Sequence, residues 1–163
     1  GTYANSVDIF GIRILGVQEE TTAVDLEGDD TILATQTVIN KGTVTLEFAS
    51  LQFEIVQRIT GNAQEYGADY TRQRVTTKNP PYIGLAGQAI AAEGGGDTHL
   101  FIPKCKASAG FQVRFERGAF SIPSITLTAV ADDNFLDADS YPLLFLMDEH
   151  SVPTTVTLPP TGL

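Results

Sequence analysis

The sequence is poor in the side chains on which most protein chemistry depends. Among 163 residues there is one cysteine, Cys105, two histidines, His99 and His150, and no tryptophan. A lone thiol excludes an intrachain disulfide and any zinc site built from several cysteines of one chain, and it demands no oxidising compartment. Two histidines far apart in the sequence leave little for a transition-metal site, which leans on imidazole or thiolate. They leave as little for nucleophilic catalysis, which needs a nucleophile with a base in reach. No G-x-S-x-G elbow occurs, and Cys105, set in Lys104-Cys105-Lys106, has no local histidine, so a small core residue is its expected role. Without tryptophan the usual aromatic walls of a sugar cleft are missing, which weighs against hydrolysis by paired carboxylates. Neither catalysis nor a cofactor is expected.

Positive charge is also scarce. Ten Lys and Arg face twenty Asp and Glu, for a net charge of −10. Affinity for phosphate comes from Lys and Arg, so nucleic acid and anionic membrane surfaces are both disfavoured partners. No apolar run approaches the eighteen or so residues that span a bilayer. The opening GTYANSVDIF has no basic n-region and no signal-like apolar stretch, and it lacks Met, which leaves trimming or renumbering open. What remains is ordinary apolar content at 42% and a length suited to one core. The expectation is a soluble, acidic, single domain over 1–163, with 1–6 and the proline-bearing 151–163 as extended arms.

Period-two alternation dominates the interior. Val44, Leu46 and Phe48 share one face of Thr43–Phe48; Phe111–Glu116 and Ser124–Ala129 repeat the pattern. Such alternation marks half-buried antiparallel strands, and β-branched residues crowd 31–39. Gly94-Gly95-Gly96-Asp97 lies between two strand-like runs, Tyr82–Ala92 and Thr98–Lys106, and reads as a hairpin rather than a phosphate loop, which would need a helix after it. One segment has helical spacing: Leu51, Ile55 and Ile59, flanked by Val56, with Ser50 as N-cap and Gly61 at C′. These four apolar residues predict a short helix packed on a sheet. The fold class expected is mainly β, an antiparallel sandwich or partial barrel with one flanking helix.

Two acidic stretches could hold a cation. Asp132-Asp133-Asn134-Phe135-Leu136-Asp137-Ala138-Asp139 fails the EF-hand spacing in both registers, since the fifth position is Leu136 or Tyr141. Asp25-Leu26-Glu27-Gly28-Asp29-Asp30 fails too, interrupted by Leu26 and Gly28 with no closing Glu. Metal ligation is therefore not expected at either, and the question of why Asp25, Glu27, Asp29 and Asp30 crowd together remains.

Their setting suggests a reply. The succession of that acidic stretch, a β run, Gly42-Thr43-Val44-Thr45-Leu46-Glu47-Phe48 and the helix ending Ile59-Thr60-Gly61 resembles the tail tube, or major tail, proteins of long-tailed bacteriophages. Pro80-Pro81-Tyr82-Ile83-Gly84-Leu85-Ala86-Gly87-Gln88-Ala89, Leu100-Phe101-Ile102-Pro103-Lys104-Cys105-Lys106-Ala107-Ser108 and Phe120-Ser121-Ile122-Pro123-Ser124 are similar to that family's later strands. The likeness covers about residues 20 to 131 and lies in order and spacing, not in one motif.

The resemblance implies strands that join a larger barrel in a homohexameric ring, rings that stack into a hollow tube, and genomic DNA that passes through without specific binding. It implies other tail proteins, such as tape measure and terminator, as partners, and no membrane. The place implied is the virion, after assembly in the host bacterial cytoplasm. In such a tube Asp25, Glu27, Asp29 and Asp30 line the bore or sit at a ring-to-ring contact; the alternative is an ordinary solvated β-turn. The rival expectation is a monomeric carbohydrate- or calcium-binding β-sandwich using the Asp132–Asp139 loop; a further rival is a β-barrel enzyme with Cys105 as nucleophile.

Overall fold

A computed structural model describes residues 7–9, 11–28, 31–49, 52–73, 79–90, 95–109 and 123–156. Two long strands come first, β1 (Ile12–Gly28) and β2 (Thr31–Phe48), followed by helix α1 (Phe53–Thr60). A small hairpin of β3 (Gln64–Tyr66) and β4 (Thr71–Gln73) precedes β5 (Ile83–Ile90) and β6 (Asp97–Ala107). The chain ends with β7 (Ser124–Ala129), β8 (Asp132–Leu136), β9 (Pro142–Leu143) and β10 (Leu146–His150). The expected strand at 111–116 lies outside the described residues.

Six strands form one antiparallel sheet, curled into a half-barrel. β1 pairs β2, β2 pairs β7, β7 pairs the end of β6 through Cys105↔Ala129 to Ala107↔Leu127, and β5 pairs β6 over most of its length. β10 pairs the first half of β6, Leu146↔Phe101 to His150↔Asp97. A strand has only two edges, so β7 and β10 share one edge of β6 in succession while β5 takes the other.

The alternating residues fall where one buried face requires them. Register brings Leu15, Leu46 and Ile125 into one row and Val17, Val44 and Leu127 into the next. Val44, Leu46, Phe48, Ile102, Cys105, Leu127 and Ala129 are fully buried, with Ile125 and Leu85 close behind. Each large aliphatic so buried stabilises the fold by about 1.5–3 kcal/mol relative to exposure. Thr43, Thr45, Thr126 and Thr128 take the opposite, half-buried face. The two outer strands of the sheet meet across this core: a Cβ at Gly87 of β5 would collide with Leu15 Cδ2 of β1.

Helix α1 buries Ile55, Val56 and Ile59, and Ile55 and Ile59 join the core of the sheet. It starts later than the sequence suggests, with Gln52 rather than Ser50 as N-cap and no side-chain cap bond. The reason is upstream: Phe48 N–H still bonds Pro123 O and Ala49 N–H bonds Gly11 O, so the chain is tied to the sheet until just before the helix. Ser50 and Leu51 themselves lie outside the described residues. At the other end Gly61 adopts φ +70° and donates its N–H to Gln57 O at 2.8 Å, the left-handed ending that glycine favours.

A second, smaller layer covers the far face of β6. Phe101 meets Phe135 of β8 edge-on, ring centres 5.5 Å apart. The register shift between Ile83 and Leu85 of β5 lets β6 direct Ile102 and Cys105 to the main core and Asp97, His99 and Phe101 away from it.

Candidate functional site

β1 and β2 outrun the sheet that holds them. Among the described residues β2 pairs β7 only from Gly42 to Glu47, yet pairs β1 all the way to Thr31↔Gly28. Residues 20–28 and 31–41 therefore form a two-stranded ribbon that leaves the body, roughly 30 Å long at the ordinary strand rise. Its described side chains are exposed on both faces: Thr21, Thr22, Ala23 and Asp25 on one strand, and Thr35, Gln36, Thr37, Val38 and Ile39 on the other. Val38 is 41% and Ile39 51% exposed. A hairpin standing alone is marginal in water, and exposed β-branched residues on it represent apolar area not yet buried.

The acidic stretch lies at the far end of this ribbon. Asp25 is exposed and accepts a hydrogen bond from Thr35 Oγ1 at 2.6 Å. Glu27 registers with Ile32 next to an irregularity in the ladder. Asp29 and Asp30 lie outside the described residues, between the last residue of β1 and the first of β2. At the ribbon's root the charge is compensated instead. Glu20 accepts from Thr43 Oγ1 at 2.5 Å and sits 3.1 Å from Lys41 Nζ, and these two contacts hold its carboxyl below the ordinary value.

Beside that root is a small basic surface. Lys104 and Lys106 of β6 place their ammonium groups 5.2 and 5.4 Å from the Tyr82 ring centre, one cation–π contact each. Among the described residues neither has a carboxylate within ion-pair distance. A shallow depression of about 200 Å³ lies there, lined by Tyr82, Lys106, Ala107, Ser108, Thr128 and Val130. Lys106 registers with Thr128, and the next residue of β7, Ala129, registers with Gly42 where the ribbon departs.

Sequence reasoning missed one constellation, because the sheet assembles it from three distant segments. Asp97 is 2% exposed. Its Oδ2 accepts from Gln88 Nε2, from His99 Nε2 at 2.9 Å and from the Thr154 N–H at 2.9 Å. Burial opposes its ionisation, but the bonds from Thr154, His99 and Gln88 outweigh it and hold the carboxyl below the usual aspartate value. Gln88 also donates to Thr154 O at 2.8 Å, so the backbone of 151–156 is held against the hairpin end of β5 and β6. The two histidines, unpaired in sequence, come together: register Asp97↔His150 brings the His99 and His150 rings to 4.5 Å. Gly96 passes so close to His150 O that no side chain fits there. The triple glycine, which shows in the sequence as a hairpin signal, was the only available trace of this contact.

The remaining candidates behave as local structure. Cys105 is buried, donates to Ile83 O at 3.3 Å, and burial pushes its thiol up to about 12, far from a nucleophile's range. Asp132 Oδ1 accepts from Asn134 N–H and its amide; Asp137 Oδ1 accepts from the N–H groups of Asp139 and Tyr141. Among the described residues no three His, Cys, Asp or Glu side chains converge as a metal site, and no helix is long and apolar enough to cross a membrane. Comparison with protein-family models and with curated proteins finds no match.

Proposed function

We propose that this chain is a self-assembling structural subunit: six copies close a ring, and rings stack into a hollow tube of the phage-tail kind through which genomic DNA passes. The observation that supports this most is the β1–β2 ribbon. It extends from the body with apolar residues exposed on it and no partner strand beyond its own hairpin among the described residues. Such a ribbon is poorly stable alone and is well suited to lie on another copy.

Two further features favour the reading. Three strands of the sheet, β1, β5 and β10, have an outer edge with no strand partner among the described residues. Edge-to-edge joining around a ring satisfies such groups as barrel closure does in one chain. The net charge of −10 suits a conduit, because Lys and Arg contacts would make a polyanion stick at every step. A wall of like charge repels weakly instead, screened by salt over about 8–10 Å.

In this role the chain works by assembly and not by catalysis, and it needs no cofactor. Its partners are further copies of itself and the tail proteins that set and cap tube length. Its place is the virion, reached after assembly in the host cytoplasm.

Electron microscopy of the purified protein across a concentration series tests the proposal. Six-fold rings or hollow fibres are expected. A compact protomer at every concentration, or a bore lined by guanidinium and ammonium groups, would overturn it.

A further inference from the structure

We infer that the depression at Tyr82, Lys104 and Lys106 is a binding site for a doubly charged tetrahedral oxyanion, a phosphate free or at the end of a monoester. The site stands within one protomer and needs no second copy. Lys104 and Lys106 project from the same face of β6, with the buried Cys105 between them and about 7 Å from one backbone position to the other. Tyr82 flanks Lys106 on one side, one residue ahead of the Ile83↔Cys105 pair, and Thr128 of β7 registers with Lys106 on the other. Val130 lies next to Lys104, whose carbonyl accepts its N–H at 3.0 Å.

The two ammonium groups converge where free lysines would part. Both lie within 5.4 Å of the Tyr82 ring centre, and attraction to the ring holds them there against their mutual repulsion. No carboxylate relieves that repulsion. Lys41 and Arg72 each have an acid within 3.5 Å, in a chain with twice as many acids as bases, whereas Lys104 and Lys106 have none among the described residues. A bound anion supplies the missing charge.

The aromatic platform is itself held in place. Pro80 and Pro81 restrict two successive φ angles just ahead of Tyr82. Pro81 also lies against the end of helix α1, where a Cβ on Gly61 would come within 2.9 Å of Pro81 Cδ. Such preorganisation lowers the ordering that binding requires.

Charge and donors favour a dianion over a carboxylate. Two ammonium groups match a phosphate monoester, at about −1.5 to −2, better than a carboxylate's single charge. Thr128 adds a hydroxyl with no partner among the described residues, while Ser108 at the rim donates to Thr126 O at 3.3 Å. The depression, about 200 Å³, has room for the anion with several waters at ~30 Å³ each.

Titration of dilute protein with sodium phosphate at constant ionic strength, followed by ¹H–¹⁵N NMR, tests the site. Saturable shifts should centre on 82, 104–108 and 128–130, with half-saturation on the order of 1–10 mM. Sulfate should match phosphate, and acetate should bind at least about tenfold more weakly. Phenyl phosphate distinguishes the two sources. Tighter binding than inorganic phosphate identifies a monoester whose organic part meets Tyr82 and Val130; equal binding identifies the free ion.

Lys104→Gln and Lys106→Gln should each weaken phosphate by about tenfold, with circular dichroism and melting unchanged. Lys106→Arg keeps the charge and should hold the affinity within about threefold, a rescue that lost packing would not show. Arg13→Gln removes the same charge three strands away on β1 and should leave binding unchanged. If Arg13→Gln weakens binding as much as the lysine variants, the attraction is a diffuse field and the site is wrong. It is equally wrong if the shifts fail to saturate, if acetate competes on equal terms, or if duplex DNA takes the same residues more tightly than phosphate.

Discussion

Val38 and Val44 lie on one strand, yet the structure assigns them to different mechanical units. Val44 is fully buried in the core opposite Leu127; Val38 stands on the ribbon, 41% exposed, opposite Thr22. Replacing Val by Ala removes two carbons. At about 0.8 kcal/mol per buried carbon the transfer loss at Val44 is roughly 1.6 kcal/mol, and the cavity left in a packed core raises it to about 2–3 kcal/mol. For a chain of this size each kcal/mol lowers the melting temperature by about 2–4 °C, so Val44→Ala should lose about 4–12 °C. Val38 is just over half buried, which scales its loss to at most about 0.9 kcal/mol. The ribbon can moreover open locally without unfolding the body, so the shift in global melting should stay below about 3 °C.

Calorimetry on dilute, unassembled protein measures both values, and native-state hydrogen exchange supplies an independent reading. Amides of 21–25 and 35–39 should exchange far faster than those of 43–47, and should become protected only in the assembly. Equal melting shifts for Val38→Ala and Val44→Ala, with equal protection in the dilute protein, would refute the reasoning. The ribbon would then belong to the cooperative body and would need no second copy.

Three more outcomes follow from single contacts. Gly61→Ala should cost about 1–2 kcal/mol in thermal melts, because the site holds φ +70° and the new Cβ would sit 2.9 Å from Pro81 Cδ. Cys105, its thiol pushed up to about 12, should resist alkylation at pH 8 until denaturant is added; modification of the native protein would place the thiol at the surface. Asp97→Asn should speed proteolytic removal of the segment beyond His150, because Thr154, His99 and Gln88 all donate to that carboxylate. Acid should mimic the substitution. The native carboxyl is depressed, so the unfolded state binds its proton first; the anchoring is intact above the unfolded value of about 3.9 and is lost as pH falls through the lower native one. A wild-type tail equally resistant across that window would contradict it.

Much of the scaffold was legible because one face of a sheet had to be apolar. The alternation in Thr43–Phe48 and Ser124–Ala129 left no other register, since a slip of one residue would turn Val44, Leu46 and Leu127 to solvent. The helix was readable from Ile55, Val56, Ile59 and Gly61, but not its start, which depends on Ala49 bonding Gly11 across the sheet. Residues 31–39 read as strand from their β-branched content, yet nothing in them announces that β7 stops at Ala129 and leaves them beyond the body. The Asp97 cluster was the least visible. Its members come from β5, β6, β10 and the tail, and cross-strand register, the one thing that unites them, leaves no mark on any single segment.

Gly87 carries a consequence for geometry at larger scale. By leaving room for Leu15 it lets the two rims of the half-barrel draw together. In the ring proposed above, the angle between the rims would set the number of members, since about 60° per step closes at six. A methyl group at position 87 would wedge the rims apart, so in the proposed ring one hydrogen atom on a backbone carbon would bear on how wide a circle the copies draw.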